Sequence, residues 1–356
     1  MSIGGVEKAL LGLIGSIDYS KYCVDLLLMA QEGEFMQYIN KNVHILPTPG
    51  FFSWIVLPKQ RIVHSFLNLV ARPRILYYFV SNIVRGVIKG NMARARQRMW
   101  RDCIEYIPAL EGKYDIALDF SGLLRQYVLD KVDAKRKYTW IHSDYRVYGL
   151  DKQTDGQLLA RFDRIYCVSA TCKEIFDSEF PSLKEHSEVK HNIIDTSFIM
   201  SRINGKSYND GFNGVRLLDV TRIDPNKGLD IAVQVCHELK EKGVDFRWYI
   251  LGNDPLGYKK ELIKLIKEYN VEDNFILLGF TSNPYPYMYE ADIIVHFSRF
   301  EGRSVAIDEA LALGKTILLT NYPTAKDQIE DGVNGYICDF DKRALTDKLY
   351  SIIKRL

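Results

Sequence analysis

The sequence predicts an α/β protein of two domains, each built on a doubly wound parallel sheet. Three observations carry this. The chain has 356 residues, long for a single core and natural for two. Short apolar runs of strand length alternate with stretches of helical periodicity, the order a parallel sheet with crossover helices requires. A polar stretch rich in Gly and Asn, 203–214, interrupts that alternation as an interdomain linker does. The expected division is an N-terminal domain at 1–200, a linker at 201–214 and a C-terminal domain at 215–356. In such sheets ligands collect at the carboxyl ends of the strands.

Composition bounds the rest. Lys and Arg number 47 against 45 Asp and Glu, so overall charge does not call for a nucleic-acid partner. Six cysteines are scattered without a C-x-x-C pair, and Cys167 and Cys172 stand apart from other ligand types. They read as reduced core thiols of a cytoplasmic protein. No signal peptide is evident, and no apolar run is long enough to span a bilayer.

From the amino end, Gly4-Gly5 precede an apolar-periodic stretch, a glycine turn feeding a helix start. Strands are expected at 22–29 and 43–46. Between 35 and 101 there is no Asp or Glu at all. That stretch holds Lys41, Lys59, Arg61, Arg72, Arg74, Arg85, Lys89, Arg94, Arg96, Arg98 and Arg101 among Phe51, Phe52, Trp54, Phe66, Tyr77, Tyr78, Phe79 and Trp100. The mixture suits a surface that sits on anionic lipid headgroups, and equally suits ordinary helices with solvated arginines and a buried apolar face. A nucleic-acid surface is the weaker third reading.

Further strands are expected at 115–119, 138–142 and 164–168, with His142 at the end of the second, in Y-T-W-I-H-S-D-Y. Beyond the linker, V-R-L-L-D-V opens the second sheet. It leads into T-R-I-D-P-N-K-G-L-D, which sets Arg222 and Lys227 on a turn into a helix. Two cations beside a helix start can clamp a diphosphate. Strands at 246–251 and 275–278 are each followed by glycine, Gly252 and Gly279, the latter preceding Phe280. Those at 293–297, 316–320 and 335–338 complete six. Asp339-Phe340-Asp341 forms a D-x-D pattern, read as chance because it follows the last strand, remote from the cation pair.

The most informative stretch is 298–314, S-R-F-E-G-R-S-V-A-I-D-E-A-L-A-L-G. It places Glu301 on a loop before a helix, Glu309 more than a turn inside that helix, and Gly314 as its cap. A helix start offers unpaired N–H groups to phosphate or a sugar oxygen, and the two carboxylates accept from hydroxyls. These are the groups a nucleotide-sugar pocket needs.

The E-x7-E spacing resembles the family 4 retaining glycosyltransferases. So do G-G-V-E-K-A-L-L at the amino end, W-I-H-S-D, H-N-I-I-D at 191–195, and R-x-x-x-x-K-G. Together these cover nearly the whole chain. The resemblance implies a GT-B fold, two facing Rossmann-like domains with the active site in the cleft. It implies transfer of a sugar from a nucleotide-sugar, UDP-sugar favoured, to an acceptor hydroxyl with retained anomeric configuration, in bacterial cell-surface glycan synthesis. The acceptor would be a glycan or lipid-linked, reached from the inner face of the plasma membrane. No cofactor or metal is implied, because cationic side chains take the metal's part. Arg222 and Lys227 would hold the leaving diphosphate, with Gly4 and Gly5 beside it. Glu301 and the amides of Gly302, Arg303, Ser304 and Val305 would bind the donor sugar and phosphate. Glu309 would bind the ribose, Gly252 and Phe280 would seat the base, and His142 would face the donor sugar and acceptor. The family also places a strand ahead of Gly4 and a returning helix beyond Leu356, neither of which this sequence contains. An epimerase of the same fold and a non-catalytic nucleotide-binding scaffold are the two alternatives.

Overall fold

The computed structural model describes residues 4–50, 52 and 73–356. The chain forms two compact units, Met1–His191 and Asn192–Leu356.

In the first unit, helix Gly5–Gly15 precedes β1 (Val24–Leu27), which pairs in parallel with β2 (Val43–Leu46). Helices Pro73–Ile88 and Met92–Cys103 follow. A second parallel sheet runs in the order β3 (Lys113–Asp119), β4 (Asp133–Ile141), β5 (Arg164–Cys167), β6 (Ser187–Val189). Two features differ from expectation. β4 begins five residues before the expected start at 138, because Asp133-Ala-Lys-Arg-Lys lies on a largely solvated half of the strand and carries no apolar signal. β6 was not anticipated, being only three residues, Ser-Glu-Val. Of the cation-rich stretch, Lys59, Arg61, Arg72, Phe51, Trp54 and Phe66 lie outside the described residues. Arg98 is not one of the solvated cations: its Nε donates to Oδ1 of the buried Asn82 at 3.3 Å, bracing one helix on the other.

The second unit is one six-stranded parallel sheet, ordered β12-β11-β10-β7-β8-β9. Its strands are β7 (Val215–Val220), β8 (Phe246–Leu251), β9 (Phe275–Gly279), β10 (Ile293–His296), β11 (Thr316–Thr320) and β12 (Tyr336–Cys338). Alternation along each strand supplies two cores. Leu217, Trp248, Ile250, Val295 and Leu318 pack on one face, joined by Leu229, Leu239, Leu345 and Leu349 of helices Leu229–Glu241 and Lys342–Ile353. Leu218, Tyr249, Leu251, Ile294, Ile317 and Leu319 pack on the other, with Tyr285, Ile307 and Ala310 of helices Tyr285–Glu290 and Val305–Ala312. Burial on both faces is why these strands read as continuous apolar runs. The stretch 201–214 belongs to this unit: Tyr208 packs on Tyr249 with ring centroids 4.5 Å apart, and Asp210 bonds to Arg216 and Arg247.

The order reverses where β10 pairs with β7, Ile293 opposite Leu217 and Ile294 opposite Leu218. At such a switch point the loops leaving adjacent strands diverge and open a crevice at the carboxyl edge. The residues leaving β7 and β10 are those that carry Lys227 and Glu301.

Candidate functional site

After β7 the chain turns through Pro225–Lys227, with Asp224 accepting from the Asn226 amide at 2.9 Å. Gly228 then takes φ +62°, which lets helix Leu229–Glu241 start at once. After β10 the loop 297–304 runs back across this turn. The Arg299 amide donates to the Asn226 carbonyl at 2.8 Å, and Asn226 Nδ2 donates to the Phe300 carbonyl at 2.9 Å. The Arg299 guanidinium grips Asp230 through two bonds of 3.0 and 2.7 Å. Thr324 Oγ1 ties down the Glu301 carbonyl at 2.9 Å. Turn and loop are thus one braced body, and the side chains they present are fixed relative to each other.

Those side chains form a line of alternating charge. The Lys227 ammonium donates to Glu301 Oε1, and His296 Nε2 lies 2.9 Å from that same oxygen. His296 Nδ1 lies 3.3 Å from Asp219 Oδ1. All four groups are largely buried, so each charge depends on its neighbour. Burial by itself would raise the Glu301 carboxyl; Lys227 and protonated His296 outweigh it and hold Glu301 well below the usual carboxylate range. Burial would lower His296, but a carboxylate on each ring nitrogen pushes it up to about 9. Asp219 is raised by burial, with His296 pulling the other way.

Of the other expected residues, Arg222 lies on the same turn but points outward, 57% exposed, 3.4 Å from Asp224. Arg303 forms a bidentate pair with Asp308 at 2.9 and 2.8 Å and a third bond to the Asp327 carbonyl, so its side chain braces the loop. The Ser304 amide already donates to Gln328 Oε1 at 2.9 Å. Glu309 is buried in helix Val305–Ala312 and accepts from the Tyr285 hydroxyl at 2.9 Å. Gly252 lies so close to the end of β7 that a Cβ would stand 1.7 Å from the Thr221 carbonyl oxygen. Its amide donates to the Gly279 carbonyl at 2.7 Å, ahead of the exposed Phe280. The D-x-D residues have local tasks: Asp339 accepts from Asn321, and Asp341 caps helix Lys342–Ile353.

Gly4, Gly5 and His142 belong to the first unit. Gly4 is the extended N-cap of helix Gly5–Gly15. His142 directly follows β4, with Nε2 2.6 Å from the Phe120 carbonyl, so this nitrogen carries the proton. Burial pushes its pKa down to about 4, leaving a neutral imidazole near pH 7. The reading by residue type missed His296, Asp219, Thr324 and Gln328. For His296 and Asp219 the available signal was a polar residue in the last two positions of a largely apolar strand, in I-I-V-H and V-R-L-L-D-V.

Residues 213–355 match the family model described as glycosyl transferases group 1. A Campylobacter jejuni protein named N-acetylgalactosamine-N,N'-diacetylbacillosaminyl-diphospho-undecaprenol 4-alpha-N-acetylgalactosaminyltransferase is 32% identical over 156 residues, 43% of this chain and 40% of that protein. The amylovoran biosynthesis glycosyltransferase AmsK of Erwinia amylovora is 31% identical over 140 residues, 37% of this chain and 34% of its own length. The similarity therefore spans well under half of either relative. Over 99% of this chain and 87% of the other, the fold matches that of HepE from Anabaena, crystallised with UDP and glucose, at a TM-score of 0.66 and 16% identity. The chain has the GT-B fold seen in solved glycosyltransferases, and its residues 213–355, within the second unit, are similar to the glycosyl transferases group 1 family.

Proposed function

We propose that this chain transfers a sugar from a nucleotide-sugar, a UDP-sugar first among candidates, to an acceptor hydroxyl in bacterial cell-surface glycan synthesis. The observation that carries the reading is the buried Lys227–Glu301 pair at the switch point of the second sheet. Lys227 would meet the leaving diphosphate as negative charge grows on it, stabilising the transition state electrostatically, with Arg222 as a second, exposed cation. Glu301 would accept from hydroxyls of the donor sugar and Glu309 from the ribose. Neutral His142 would face the transferred sugar. Transfer would retain configuration and need no metal, the cations taking that role. The relatives support the glycan setting, since one is named for a diphospho-undecaprenol acceptor and one for amylovoran. The test is a panel of UDP-, GDP- and ADP-sugars, read by thermal shift and by label transfer to lipid-linked acceptors. A chain stabilised by none of them sinks the reading.

The setting extends to an anionic membrane surface on the cytoplasmic side. Helix Pro73–Ile88 buries Ile75, Asn82 and Gly86 on one face. Tyr77, Val80, Val84, Val87 and Ile88 recur at helical spacing on the other and are exposed, Ile88 by 77%. Arg74, Arg85 and Lys89 flank this stripe, all exposed. An apolar stripe rimmed by cations fits an acidic bilayer, each cation adding about 1 kcal/mol at the surface. No helix among the described residues is long and apolar enough to cross a membrane. The chain should pellet with vesicles containing phosphatidylglycerol at low salt and release at high salt. Replacing Val84, Val87 and Ile88 by Gln should abolish pelleting with little change in melting temperature. Failure of the unaltered chain to pellet at low salt would reduce the stripe to a solvated face.

A further inference from the structure

We propose that His296 is a positioning residue of the donor site: clamped by Asp219, it secures one oxygen of Glu301 and so reserves the other for a ligand hydroxyl. The inference rests on the donor-site reading above. Both hydrogen bonds to the Glu301 carboxylate, from Lys227 and from His296, end on Oε1. Among the described residues Oε2 has no protein partner, although the side chain is only 14% exposed. Oε2 keeps access to solvent, so a ligand hydroxyl can reach it and donate to it in place of water.

The Tyr322 hydroxyl and Thr221 Oγ1 are buried without hydrogen-bond partners among the described residues. Tyr322 follows β11, its ring edge-on to His296 with centroids 6.3 Å apart, and its hydroxyl feels the charges of Glu301 and Asp308. Thr221 is the first residue beyond β7. Glu301 Oε2, with no protein donor, and the unpartnered Tyr322 hydroxyl beside the same histidine leave hydrogen-bonding capacity for a polyhydroxy ligand beyond β10 and β11.

Why a histidine serves here follows from its two nitrogens. A neutral ring would aim a lone pair at one of two carboxylates; the imidazolium donates to both and fixes the ring's rotation. The titratable groups that face it are Asp219 from β7, Glu301 on its own loop, Lys227 through Glu301, and Tyr322 after β11. Held at about 9, against 6.5 for an unperturbed ring, the protonated form contributes its stabilisation fully below 6.5 and loses it as pH rises through 9. Transfer should show an alkaline limb in that window.

The test has two arms. In the full chain with labelled histidine, assigned by loss of the signal in His296→Gln, both ring nitrogens should be protonated at pH 7 and titrate near 9. In Asp219→Asn the titration should move to lower pH, and the alkaline limb of kcat should move with it, which a merely structural role would not produce. His296→Gln, which keeps a single neutral donor, should lower kcat roughly ten- to hundred-fold and leave UDP affinity within about two-fold. A neutral His296 at pH 7 overturns the inference whatever the activity, as does unchanged kcat in His296→Gln. If that variant fails to fold, the shift in Asp219→Asn decides alone. Absence of transfer in the unaltered chain removes the functional reading instead, while the titration still decides the state of His296.

Discussion

Lys227→Ala should lower kcat for sugar transfer by about 10²–10³-fold, the scale of removing one preorganised transition-state donor. UDP affinity should fall by roughly one to two decades as a charge-assisted contact is lost. The effect is large because the ammonium is buried and held in place by Glu301. The same change strips Glu301 of a cation, so its carboxyl rises toward the usual range. A depressed carboxylate contributes stability above its unfolded pKa, about 4.5, and loses it as pH falls through the folded value. The variant should therefore lose activity and stability at a higher pH than the parent on acidification. Arg222→Ala should cost less, about ten-fold, because Arg222 is exposed and its only near carboxylate, Asp224, is 3.4 Å away. Unchanged UDP affinity in Lys227→Ala would remove this lysine from the donor site.

How much of this was legible before folding depends on where each signal resides in the chain. The six strands of the second sheet announced themselves because both of their faces are buried. β4 hid its first half, and β6 hid entirely, because their exposed residues carry no apolar pattern. Lys227 and Glu301 could be read because each belongs to a local pattern: a cation with Gly behind it at a helix start, and an acid with Gly behind it before a helix. Their contact could not, since it spans 74 residues. Asp219 and His296 are harder still. Each is a polar residue inside a largely apolar strand, 77 positions apart, and they meet because β10 lies beside β7 in the sheet. Strand order is a product of the whole sheet, so pairs that depend on it leave no trace in spacing. The helix Pro73–Ile88 shows the reverse case. Composition left open which of its apolar residues face the core, and only the structure shows that Tyr77, Val84 and Ile88 lie on the solvated side.

Gly228→Ala should be a strongly damaging single-methyl addition to the second unit, and a matched control isolates the reason. Gly228 and Gly211 both hold φ at +62°, where any L side chain is strained by about 1–2 kcal/mol. Around Gly211 there is nothing within 4 Å of an added Cβ, so Gly211→Ala should cost that strain alone. At Gly228 the same atom would stand 2.0 Å from the Phe297 carbonyl oxygen, which belongs to backbone and cannot rotate away. The turn carrying Lys227 would have to part from the loop carrying Glu301. Overpacking of this kind adds about 1–3 kcal/mol, for a total near 2–5 kcal/mol. For a unit of this size that lowers the melting temperature by roughly 5–15 °C, against a few degrees for Gly211→Ala. Because the displaced elements are the two that hold the charged line, transfer should fall in Gly228→Ala even below its melting transition, while Gly211→Ala keeps full activity. Equal melting temperatures for the two variants would mean that the close approach of Gly228 to Phe297 contributes nothing to the site's rigidity.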